Sequence, residues 1–123
     1  MKYASTRNSQ IELNFKEVFI KGLADDGGLF VPKSLKKFTE EEINNLSNLN
    51  YRELAVKIMF PFCGDFIDEN ELKNIVEKSY SKFREDEVVK ITDIGNYKLL
   101  ELFHGPTLAF KDIAMQFIGN LYD

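Results

Sequence analysis

The chain has 123 residues, 44% of them hydrophobic and 29% charged, with a formal net charge of −4 and a pI near 5.1. That length fits one folded unit with a core of its own, and the acidic balance argues against a nucleic-acid binder, which normally shows a basic face. No apolar run approaches the ~20 residues needed to span a bilayer, and one cysteine (Cys63) beside one histidine (His104) allows neither an internal disulfide nor the usual Cys/His zinc site.

The opening MKYASTRNSQ lacks the apolar core of a signal peptide, and a cytoplasmic location is expected. Within it, Tyr3–Thr6 is a candidate short strand. Asn14 followed by Glu17 forms a capping-box pattern, with Leu13 and Val18 placed for a hydrophobic staple. The helix behind it should run from Phe15 to about Lys21, with Gly22 as its stop. Asp26-Gly27-Gly28 reads as a turn leading into a brief strand ended by Pro32. It is not a phosphate cradle, because two acids precede the glycines and no helix start follows.

Thr39 with Glu42, Asn50 with Glu53 and Asp68 with Glu71 repeat the capping device, the last again stapled by Ile67 and Leu72. Behind Asn50, Tyr51, Leu54, Ala55, Ile58, Met59 and Phe62 keep helical spacing, with Pro61 expected to stop the run. Behind Asp68, Leu72, Ile75, Val76 and Phe83 do the same. EVVKI and YKLLELF flank Gly95-Asn96 as a hairpin-like pair, and the nearly all-apolar second segment reads as a strand buried on both faces. Residues 1–90 are therefore expected to form a helical and short-strand unit, with a different character in 91–123.

A last helix follows, with Thr107 as the expected N-cap and Phe110, Ile113, Ala114, Phe117 and Leu121 on one face. Leu108, Met115 and Ile118 carry the apolar surface further round. More than one face needs covering, and no stop signal precedes Asp123. The sequence thus predicts a fragment whose helix has further neighbours elsewhere, and which alone self-associates or is partly disordered.

From Leu99 to Tyr122 the only charged residues are Glu101, Lys111 and Asp112. Lys111 falls near the helix start at the edge of the apolar stripe. Apolar surroundings and the positive end of the helix dipole both disfavour an ammonium ion, and an amine so placed suits Schiff-base chemistry with an aldehyde. The other reading is structural: a stem covering apolar surface, or a pair with Glu101 or Asp112. Spacing alone favours the structural use. His104 has no neighbouring serine or cysteine motif to complete a nucleophile–base pair, so a hydrogen bond that fixes its loop is expected, with a substrate or cofactor contact as the lesser alternative. Asp112 reads as a first-turn acid.

The string ELFHGPTLAFKD closely resembles the signature of the threonine synthase family. YASTR, NFKEVFIKGLADDGGLFVP and, more loosely, NYRELAVKIMFPF and KSYSKF resemble further family segments in the family's order, the longer form being the nearest match. Asn8 after STR and Asn14 before the first helix depart from the usual residues, away from the lysine motif. The resemblance implies a fold-type II pyridoxal-phosphate enzyme, α/β overall. In it, this chain is a helix-rich α+β N-terminal unit (1–90) leading into the first strand–loop–helix of the cofactor domain (91–123).

The resemblance also implies conversion of O-phospho-L-homoserine and water to L-threonine and phosphate. Lys111 would hold pyridoxal 5′-phosphate and, once freed by the substrate amine, act as a base. Proton removal at Cα and Cβ, γ-elimination of phosphate and water addition at Cβ would follow. The groups that hold the cofactor phosphate, its ring nitrogen and the substrate carboxylate are not visible here, so the chain alone is expected to be inactive. Two alternatives accompany this reading: a threonine-synthase-like phospho-lyase, and a non-catalytic interaction module in which Lys111 is structural.

Overall fold

Four polar side chains start four of the helices in the computed structural model, which describes residues 1–123. Asn14, Thr39, Asn50 and Asp68 lie in extended backbone, and each accepts the N–H three residues on. They open α1 (Phe15–Lys21), α2 (Glu40–Leu46), α3 (Tyr51–Cys63) and α4 (Glu69–Tyr80). In the first three the glutamate returns a bond to the cap's own N–H, completing the box. Asp68 makes only the forward bond, to the Glu71 N–H at 2.8 Å.

Pro61 does not stop α3, contrary to expectation. It sits inside the last turn, and the helix continues to Cys63. A proline there forfeits one N–H bond near an end where few remain to be made. The Gly64 N–H closes the turn beyond it on the Phe60 carbonyl at 2.8 Å. Phe83 lies past the end of α4 rather than on it, and packs edge-on to Tyr80 with ring centres 5.4 Å apart.

Two small antiparallel sheets complete the α+β fold. β1 (Tyr3–Ser5) pairs with β2 (Phe30–Pro32), and Leu13 bridges to Tyr3. β3 (Lys90–Ile94) and β4 (Tyr97–Glu101) form a hairpin closed by Gly95-Asn96. Gly95 has φ +59°, the positive value a tight hairpin requires at its first loop position. β3 begins later than EVVKI suggested, because Val88 takes φ +62° and is fully buried ahead of it.

The expected double burial of β4 is not found. Tyr97, Leu99 and Leu100 are all exposed, since a two-stranded ribbon has no third strand or covering helix for either face. The core lies elsewhere. Val56, Cys63, Ile67, Leu72, Val76, Tyr80 and Val88 are buried together, and α5 (Asp112–Tyr122) lays Ile113, Phe117 and Leu121 against them. Its other apolar residues, among them Met115 and Ile118, face outward. No helix is long and apolar enough to cross a membrane.

Candidate active site

Residues 102–111 join β4 to α5 and carry HGPTLAFK. Both ends of this loop are fastened by carboxylates. At the first, Glu101 accepts from Thr92 Oγ1 across the hairpin at 2.6 Å and lies 2.8 Å from His104 Nε2. An ionised carboxylate only accepts, so the imidazole presents its Nε2–H. The Thr92 hydroxyl first, and His104 second, hold the Glu101 carboxyl below the usual carboxylate range. The His104 carbonyl in turn accepts the Arg84 N–H at 2.9 Å. His104 is buried, and its side chain fixes the loop, as the sequence suggested.

At the second end the expected cap is reversed. Thr107 does not cap the helix; α5 begins at Asp112, and no side chain caps it at Lys111. Instead Thr107 donates twice to Asp112, from its N–H at 2.7 Å and from Oγ1 at 2.8 Å. Asp112 is more than a solvated first-turn acid, being only 3% exposed. Burial alone would raise its carboxyl; the bonds from Thr107 and the Ala109 N–H outweigh that and hold it below the usual range. A Cβ on Gly105 would clash with the Asp112 side chain, so glycine is required for the loop to lie this close. Between the clasp and the lysine, Leu108 takes φ +63°, a strained value for a side-chain-bearing residue.

Lys111 follows, in helical backbone at the head of α5, with its carbonyl accepting the N–H groups of Ala114 and Met115 at 3.1 and 2.8 Å. The apolar enclosure read for its side chain is absent: Lys111 is exposed, as are Leu108 and Phe110. Because the helix starts after it, the lysine projects from the turn rather than from the apolar stripe. Neither carboxylate suggested as its partner is free, Glu101 being held by Thr92 and His104 and Asp112 by Thr107. The amine is thus on a rigid mount without a counter-ion. A cleft of about 500 Å³ between α3 and α5 is lined wholly by apolar side chains, including Tyr51, Ile58, Tyr80 and Phe117, and Lys111 is not among them.

Residues 2–80 match the family model described as "Threonine synthase N terminus". The chain belongs to this family. Its similarity runs on through the lysine loop. All of the chain aligns with the threonine synthase of Pseudomonas aeruginosa at 48% identity, covering 26% of that protein. The structure of pyridoxal-phosphate-bound threonine synthase from Brucella melitensis superposes on 98% of the chain with a TM-score of 0.93 and 42% identity, over 26% of its own length. The yeast threonine synthase structure does so with a TM-score of 0.92 and 41% identity, over 25%. The chain therefore spans about a quarter of the length of the threonine synthases it matches.

Of the groups a pyridoxal-phosphate site needs, the residues of this family member fit one part, an exposed amine at Lys111 that could form a covalent link. The first N–H groups of α5 are given to backbone carbonyls, Asp112 to Ala109, Ile113 to Phe110 and Ala114 to Lys111, and the Asp26-Gly27-Gly28 turn is closed on itself, with the Gly28 N–H given to Asp26 Oδ1 at 2.8 Å. Neither offers converging free N–H groups to a phosphate. Sequence reasoning missed the Thr107–Asp112 clasp because a five-residue spacing matches no standard cap. The side chain of Asp112, one position before Ile113 on the helix, gave the only hint that a charge was being drawn inward.

Proposed function

We propose that this chain is the N-terminal part of a pyridoxal-phosphate enzyme converting O-phospho-L-homoserine and water to L-threonine and phosphate, with Lys111 as the residue that holds the cofactor. The observation that carries the reading is the fastened loop itself. It presents one exposed amine with no competing carboxylate, in a chain aligned end to end with a threonine synthase.

Pyridoxal phosphate, when bound, supplies an electron sink for charge developing on the substrate carbons. The chain's own contribution is to hold and move protons. Lys111 Nζ would be the base that takes a proton from substrate carbon and returns it. The Thr107–Asp112 clasp and the Glu101–His104 bond keep the backbone beneath it still.

In the same reading, residues 1–90 form the N-terminal unit and 91–123 open the cofactor domain, with α5 packed on α4 as the joint between them. Groups for the cofactor phosphate, the ring nitrogen and the substrate carboxylate are placed outside residues 1–123, so the chain alone is inactive. Alone, it associates with itself through the outward apolar residues of α5. A cytoplasmic setting, in which Cys63 stays a thiol, accompanies the proposal.

The test is borohydride reduction of the full-length gene product with pyridoxal phosphate, followed by peptide mass mapping and product analysis. A pyridoxyl group on Lys111, with threonine and phosphate formed together, is the expected result. Phosphate released without threonine would instead assign a phospho-lyase. Absence of the Lys111 adduct in folded protein would leave the lysine structural.

A further inference from the structure

We infer that Asp112 and Thr107 act as a positioning pair that sets the direction in which Lys111 presents its amine. The inference rests on the cofactor-lysine reading above and adds residues to it.

The bonds between Thr107 and Asp112 run in the reverse direction to those of a helix cap. In a helix cap the side chain before the helix accepts from backbone N–H groups inside it. Here the first helical residue accepts, and the residue five positions earlier donates with both its N–H and its hydroxyl, at 2.7 and 2.8 Å. A bidentate bond of this kind does little for the helix, since it leaves the first-turn N–H groups as they were. What it fixes is the ring of backbone from Thr107 to Asp112, which contains Lys111.

Four further observations show that this ring is built for shape. The Asp112 carboxylate is buried at 3% exposure with both oxygens engaged, and a buried charge is costly unless its partners are fully in place. Gly105 leaves no room for a Cβ against Asp112, so the preceding loop is pressed onto the clasp. Leu108, inside the ring, is held at φ +63°, where a leucine does not settle without constraint. The turn also spends its own backbone bonds inward, with the Leu108 N–H on the Gly105 carbonyl at 3.1 Å and the Asp112 N–H on Ala109 at 3.0 Å. The lysine side chain is exposed and flexible, yet the backbone beside it is held, with the Lys111 carbonyl accepting from Ala114 and Met115. Orientation of a reacting group to within about 1 Å is worth up to ~10²-fold in rate, which is the effect available to such a pair.

The deciding experiment compares wild type, Thr107→Val, Asp112→Asn and Thr107→Ser in the full-length gene product. Thr107→Val removes the hydroxyl donor while keeping the residue's shape. Asp112→Asn turns an amide toward one of the Thr107 donors. Each protein is treated briefly with pyridoxal phosphate and cyanoborohydride, and the label on Lys111 is measured relative to the other lysines.

Wild type is expected to favour Lys111. Thr107→Val and Asp112→Asn should lower that preference about tenfold with melting still cooperative, and Thr107→Ser should restore it. Under turnover, kcat should fall with KM nearly unchanged. If Lys111 is not favoured in wild type, the cofactor-lysine reading fails and the inference fails with it. If Lys111 is favoured equally in wild type and in both variants, that reading stands and the positioning pair is overturned. Should Thr107→Val not fold, Asp112→Asn and Thr107→Ser decide between the same outcomes.

Discussion

The Tyr80 hydroxyl donates to the carbonyl of Ile113 at 3.1 Å, tying α4 to the first turn of α5. Burial, then the neighbouring Tyr51, raises the Tyr80 hydroxyl pKa, so it remains a donor through all ordinary pH. Tyr80→Phe keeps the ring contacts with Tyr51 and Phe83 and removes this bond together with the hydroxyl's bond to Tyr51. The Ile113 carbonyl still has its helical partner, so the loss should be about 1 kcal/mol. Urea unfolding should show a lower midpoint at unchanged slope.

Leu72 and Val76 are fully buried on α4 at the centre of the core. Leu72→Ala removes methyl groups where the surrounding helices cannot close in, and is expected to cost about 2–5 kcal/mol. Leu72→Met, nearly equal in volume, should cost less than about 1.5 kcal/mol. Chemical denaturation of the two variants side by side checks the ordering.

On the acid side, Glu101 and Asp112 are both held below their ordinary values of 4.5 and 3.8. A lowered folded pKa gives stability that is present above the unfolded value and is lost as pH falls through the folded one. Stability should therefore hold down to about pH 4.5 and decline below it. Because the Thr92 hydroxyl is the first cause at Glu101, Thr92→Val should raise that carboxyl in an NMR titration. Glu101→Gln should flatten the acid limb.

The alkaline side has the opposite sign. Burial, then Asp65, pushes Tyr3 from 10.0 to about 12, and burial pushes Cys63 from 9.0 to about 11. The folded chain keeps these protons when the unfolded chain has lost them. Stability is unaffected by them below pH 9 and falls as pH rises through about 11 and 12. Tyr3→Phe should shrink the loss. Thiol reagents at pH 8 should label Cys63 only as fast as the core opens.

The parts of the fold set by neighbours in sequence were legible. Asn14, Thr39 and Asn50 announce their helices because each cap and its glutamate are three residues apart, within reach before any tertiary contact forms. Gly95-Asn96 announces its hairpin for the same reason. Features decided by distant packing were not legible. Pro61 reads as a stop, yet the Gly64 N–H carries the helix past it. Thr107 reads as a cap, yet burial of Asp112 draws its hydroxyl the other way. β4 reads as doubly buried from its composition, but composition says what a strand can tolerate and not what covers it. Lys111 stands out in the sequence as the lone cation of an apolar stretch; its exposure is not legible there, because the helix start lies later than spacing implies.

The joint between α4 and α5 has a mechanical consequence for the amine. Ile113, Phe117 and Leu121 lie on the core, Asn120 donates to Ser79 at 3.2 Å, and the loop ahead is held at both ends. The backbone at Lys111 is therefore anchored from both directions. If Lys111 is the cofactor residue proposed above, travel of its nitrogen would come from rotation about its own carbon–carbon bonds, like a short arm swinging from a fixed shoulder.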